Sequence, residues 1–136
     1  MTRLSLFATA LALFGLSVVL AAASLANDAG EAVDFESDVW PILAEHCVTC
    51  HGPYDQFGDL RYDSKERILE GGKNGKVMVP GEPDKSSMYM RVNLPADDLD
   101  VMPSEGELLT KEQIEVIRRW IAQGAEFGEW EEAEEE

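Results

Sequence analysis

The sequence predicts a small all-α domain, from two amphipathic stripes at helical spacing and from the five residues Cys47-Val48-Thr49-Cys50-His51 that close the first of them. Phe35, Val39, Ile42, Leu43 and Cys47 recur at i, i+4, i+7, i+8 and i+12, the stripe of a helix with one buried face. Ile114, Ile117, Trp120 and Ile121 form a second such face near the end of the chain. The chain has 136 residues, which bounds it to one small domain.

Taken in order, the first element is an export signal over residues 1–26. Arg3 precedes an uncharged run rich in Leu, Ala, Val and Phe, and Ser24-Leu25-Ala26 supplies a small-x-small cleavage pattern before Asn27. If the segment stayed uncleaved it would serve as a membrane anchor, since the run is just long enough to span a bilayer. Either way the rest of the chain is expected outside the cytoplasm, periplasmic or otherwise exported. Residues 27–33 are small and polar and read as a flexible leader, and the domain proper is expected over 34–128. The first helix begins near Ser37, a good cap, or is kinked at Pro41, because proline is tolerated only in a first helical turn. It runs directly into the cysteine motif.

From Gly52 to Gly81 the chain is rich in turns. Asp63-Ser64 caps a short helix whose apolar side is Ile68-Leu69 and whose stop is Gly71. Gly71-Gly72-Lys73-Asn74-Gly75-Lys76 resembles a phosphate-cradling loop only superficially, lacking the strand before and the helix after it, and reads as glycine turns. Ser86-Ser87 caps a further helical segment, Met88-Tyr89-Met90-Arg91-Val92. The last helix has Thr110 as cap and Gln113 at the capping-box position, and Gly124 ends it. Its apolar face is expected to pack across the helix that carries Phe35 and Val39, closing the two ends of the domain on each other. Residues 129–136 form an acidic tail with too little apolar content to fold.

C-x-x-C-H is the attachment pattern for a c-type haem. Three residues make about one helical turn, so Cys47 and Cys50 point their sulfurs to one side, where they can reach the two vinyl groups of a porphyrin, and His51 can offer its imidazole to the iron. Three other readings compete. Thiol-disulfide exchange would use the same Cys47/Cys50 pair, but such pairs sit at the mouth of a strand-turn-helix unit and no strand precedes Cys47. A zinc site from His46, Cys47, Cys50 and His51 would need six consecutive residues to wrap a tetrahedron. A structural disulfide is the third, since two cysteines in an exported chain suggest one. His46, adjacent to the first cysteine, cannot reach the far face of a haem and reads as a surface or haem-edge residue.

A haem iron that carries electrons needs a sixth ligand, and methionine is the usual partner of histidine. Met78, Met88, Met90 and Met102 compete. Met88 and Met90 sit in an apolar helical segment where gap-filling is the ordinary role of methionine, and Met78 lies in a glycine-rich turn close after His51. Met102 is followed by Pro103 in the irregular stretch 97–106, which can bend over the opposite haem face, so it is the candidate distal ligand. Arg91, Arg61 and Lys73 are the cations that could offset the propionates. The formal charge of −16 argues against nucleic acid or an anionic membrane surface as partner and favours a basic docking surface on a redox partner protein.

Phe35-x-x-x-Val39-x-Pro41-Ile42-Leu43, Cys47-x-x-Cys50-His51-Gly52, Gly58-x-Leu60-Arg61, Gly71-Gly72, Val79-Pro80-Gly81, Met102-Pro103 and Trp120-Ile121-x-x-Gly124-Ala125 occur in an order and spacing that resembles the planctomycete-type cytochrome c domain. The resemblance covers roughly residues 34–127. It implies a small cytochrome c fold with helices packed around one covalent haem c, thioethers at Cys47 and Cys50, His51 as proximal ligand and Met102 as distal ligand. The resulting reading is an electron carrier rather than an enzyme, working outside the cytoplasm without an acid, base or nucleophile. A haem sensor or peroxidase-like protein with a labile distal ligand is the rival on the same scaffold. Tyr62 departs from the pattern, standing where an aliphatic residue is common.

Overall fold

The structure, a computed structural model, describes residues 30–130. The expected signal segment 1–26, the start of the leader and the acidic run 131–136 lie outside the described residues. Among the described residues the chain is helical and holds no sheet, with two isolated antiparallel bridges, His51 to Gln56 and Gly72 to Gly75. The helices are α1 (Trp40–His46), α2 (Lys65–Glu70), α3 (Ser87–Val92) and α4 (Lys111–Ala122), with 3-10 turns at Phe57–Asp59 and Pro83–Lys85.

The entry to α1 resolves the ambiguity at Pro41 in a way the sequence did not suggest. Asp34, not Ser37, is the cap: its carboxylate accepts from the Ser37 N–H at 2.9 Å, and a π-helical turn, Phe35–Val39, leads into α1. The Trp40 N–H bonds to the carbonyl of Phe35, five residues back. A regular turn would press the proline ring against the carbonyl of Ser37, so the chain widens just before Pro41, which then occupies the first turn of α1.

Phe35 and Val39 are buried against α4, as the two apolar stripes predict. The Phe35 ring centroid lies 5.1 Å from Trp120, 4.7 Å from Phe127 and 4.6 Å from Trp130, and Trp40 lies 5.1 Å from Trp130. Tilted aromatic pairs of this kind add roughly 0.5–1.5 kcal/mol each beyond the area they bury. Trp130 is only 7% exposed, so the packed chain runs two residues past the boundary at 128 read from the sequence. The other end is fastened too. Val33 N–H donates to Gln123 Oε1 at 2.8 Å, and the Glu31 carbonyl accepts from Arg119 and Gln123 of α4.

Thr110 and Gln113 form the expected capping box at the start of α4. At α2, Ser64 accepts from the Arg67 N–H at 3.3 Å and Ile68 is buried, while Leu69 is turned outward. Gly71 ends the helix at φ +84°, and a Cβ there would stand 2.4 Å from the carbonyl of Gly75, so no other residue fits. Ser86 departs from its expected role. It precedes α3, but its hydroxyl makes no cap. It is fully buried and holds the 79–82 loop, accepting from Val79 N–H at 2.9 Å and approaching the Glu82 carbonyl at 3.0 Å. That loop is joined to α4 by Gly81 N–H to the Ile121 carbonyl at 2.7 Å.

Candidate functional site

The cysteine motif extends α1 by one turn. Leu43 O accepts from both Cys47 N–H, at 2.9 Å, and Val48 N–H, at 3.0 Å, and Cys47 O then accepts from Cys50 at 3.2 Å and His51 at 2.9 Å. Two thiols and an imidazole are thereby carried on one short rigid turn. The thiols are free, with no disulfide between them. Cys47 packs against the apolar cluster that includes Leu43 and Tyr62, and burial, with Cys50 as a second cause, pushes its thiol up to about 12. A thiol so placed stays protonated at neutral pH, the opposite of what a disulfide-exchange nucleophile requires.

After His51 the chain turns back and clamps the motif. Phe57 N–H donates to Cys50 O at 3.0 Å, Tyr62 N–H to His51 O at 2.8 Å, and Gly52 N–H to Asp55 O at 2.8 Å. Gly52 is required by close approach, since a Cβ would meet the Val48 carbonyl at 2.3 Å. Burial lowers the basicity of His51, opposed by the carbonyls of Phe57 and Leu60, so the imidazole is held neutral with a lone pair to offer. Its Nδ1 is buried without a hydrogen-bond partner among the described residues. Tyr62 packs edge-on against the ring, centroids 5.6 Å apart and planes 87° from parallel. Burial raises the Tyr62 phenol far above its ordinary value, Cys47 adding to the effect and Arg91 opposing it.

The four methionines separate by burial. Met78, 4% exposed, and Met88, 5% exposed, lie inside the core, and Met90 on α3 is 44% exposed. Met102 is half-buried at the rim of the same apolar cluster that Cys47 borders, and its N–H donates to the Arg91 carbonyl at 3.1 Å. Two of the cations considered as propionate partners are engaged elsewhere: Arg61 Nε donates to Asp63 Oδ1 at 2.8 Å, and Arg91 pairs with Asp100. Lys73 lies in the glycine turn beside Asp59, Arg67 and Glu70.

His46 is partly buried. Its Nε2 lies 3.1 Å from Gln113 Nε2, so it joins the end of α1 to the start of α4. Among the described residues no three His, Cys, Asp or Glu side chains are grouped to hold a metal ion, which leaves the zinc reading without a ligand set. The donor set itself fits a haem: two free thiols a helical turn apart, an imidazole of lowered basicity next to the second, and a thioether on the border of the same apolar cluster. Reading the sequence missed the three contacts around this set, Tyr62 on His51, His46 on Gln113 and Arg91 on Met102. Only Tyr62 left a signal, as a departure from the family pattern.

Residues 47–106 match the model of the family described as Planctomycete cytochrome C. The matched segment begins at the first cysteine and takes in Cys47, Cys50, His51 and Met102, leaving the Phe35 and Trp120 blocks outside it. The match supports a c-type cytochrome. No curated protein and no solved structure matches the chain.

Proposed function

We propose, from the planctomycete cytochrome C match over residues 47–106, that this chain is an exported one-electron carrier holding a single haem c through thioethers at Cys47 and Cys50. The observation that carries the reading is the rigid turn on which both thiols and His51 stand, clamped at Cys50 O and His51 O by the returning chain. When bound, haem c supplies a one-electron iron couple whose potential the surrounding protein sets. His51 is the proximal ligand, its imidazole kept neutral by burial and steadied by the edge of Tyr62. Met102 is the distal ligand, a soft thioether at the edge of the apolar cluster. The residues of that cluster keep water from the site, and none is asked to act as acid, base or nucleophile. The protonated Cys47 thiol stands against the thiol-disulfide alternative.

The proposed setting is outside the cytoplasm, and the proposed partner a redox protein with a basic docking surface, met in a brief and salt-sensitive encounter. The test is a haem stain after denaturing electrophoresis, with absorption spectra of the oxidised and reduced protein. Wild type is expected to retain one haem through denaturation, and Cys47→Ser with Cys50→Ser to lose it. A wild-type protein whose colour washes out on denaturation would overturn covalent attachment.

A further inference from the structure

The segment 97–102 carries Met102 yet holds no helix. Several of its hydrogen bonds are local: Asp98 N–H to Pro95 O at 3.0 Å, Asp100 N–H to Asp98 Oδ1 at 2.8 Å, Val101 N–H to Asp98 O at 3.3 Å. Such bonds shape a turn without fixing it to the body of the protein. Arg91 does fix it. The Arg91 carbonyl lies in the last turn of α3, where main-chain acceptors have no helical donor, and it takes the Met102 N–H at 3.1 Å. The Arg91 guanidinium reaches Asp100 twice, Nη1 to the carbonyl at 3.3 Å and Nη2 to Oδ1 at 3.3 Å. Met88 and Val92 of α3 are buried in the core, so the helix that grips the segment is itself anchored.

We infer that Arg91 is the positioning residue for Met102, a strap that keeps the 97–102 segment closed over the site through its carbonyl and its guanidinium together. The inference rests on the reading of Met102 as distal ligand. The main-chain bond sets where Met102 sits. The guanidinium sets how often the segment opens, because Asp97, Asp98 and Asp100 crowd three carboxylates into four residues and Arg91 is a cation paired with the last of them. Both side chains of the pair are partly exposed, so the pair contributes an amount typical of surface ion pairs and weakens with salt. The strap therefore governs access to the sixth position without being needed for the fold.

The experiment is carbon monoxide binding to the reduced holoprotein in Arg91→Gln, Asp100→Asn, the double variant, Arg91→Lys and Met102→Ala, with circular dichroism as the check on folding. Arg91→Gln and Asp100→Asn are each expected to speed binding about two- to fivefold, the range of a surface pair worth up to about 1 kcal/mol. The double variant is expected to add nothing further, since both changes break one contact. Arg91→Lys keeps the charge and is expected to stay near wild type. Raising salt should speed wild type and leave Arg91→Gln unchanged, a response a merely structural role would not give. If Met102→Ala opens the iron while Arg91→Gln and Asp100→Asn leave the rate unaltered, the strap is overturned and the ligand reading stands. If Met102→Ala itself changes neither rate nor spectrum, the ligand reading falls and the strap falls with it.

Discussion

Met88 and Met102 differ at the scale of single residues in burial, and the proposed function gives them different roles. Met88 is sealed in the core and Met102 stands at its edge. Met88→Ala is expected to lower stability by roughly 2–5 kcal/mol with the spectrum intact, and Met102→Ala to abolish the methionine-to-iron charge-transfer band and lower the reduction potential with a smaller stability change. Paired denaturation curves and spectra separate the two, and a normal ferric spectrum in Met102→Ala would move the distal role to another methionine. Asp63 yields a pH prediction. Arg61 beside it holds the carboxyl below its ordinary value, despite burial pulling the other way. A depressed folded value contributes stability that is present above the unfolded value of about 4 and is lost as pH falls through the folded one. Asp63→Asn should therefore be less stable than wild type at pH 7 and converge on it towards pH 2. Urea midpoints over that range check this, and parallel curves would detach Asp63 from acid stability.

Elements were legible where the signal was local. The stripe of α4 and its Thr110–Gln113 box were read in full, because capping and periodicity depend on residues within one or two turns of each other. The start of α1 was not, since the π-turn answers a steric conflict at Pro41 that admits several local solutions. Ser86 was read as a cap on the same local grounds, but the fold places Val79 and Glu82 beside it and the hydroxyl bonds to them. Ser86→Ala would leave the part-buried Val79 N–H without its acceptor, and it is expected to cost about 1 kcal/mol. Ser87→Ala at the neighbouring position, free of those bonds, should be near neutral. Chemical denaturation of both decides, and equal effects would return Ser86 to an ordinary helix start.

At the scale of the whole molecule the net charge of −16 is the dominant property. Such a surface steers a basic partner at long range, and the effect is screened beyond about 8 Å at physiological ionic strength. Electron exchange with a basic redox protein is therefore expected to slow steeply as salt rises, and removal of 131–136 to lower the association rate without altering the spectrum. A stopped-flow salt series on both chains measures this. Rates independent of salt would reduce the acidity to a matter of solubility, and a slope unchanged by truncation would acquit the tail alone.

The sequence by itself determined the helical class and the grouping of Cys47, Cys50 and His51, because both rest on residue types at fixed short spacing. Cys47, Cys50 and His51 lie within one turn, and no rearrangement of the rest of the chain can separate them. Only the tertiary structure decided which methionines are sealed in the core, that Tyr62 meets the face of the site at His51, and that Arg91 takes the Met102 amide. The reason is physical. The Tyr62–His51 and Arg91–Met102 contacts each join residues eleven positions apart across an irregular stretch, beyond the reach of helical periodicity, so the path of the loop rather than a local pattern sets them.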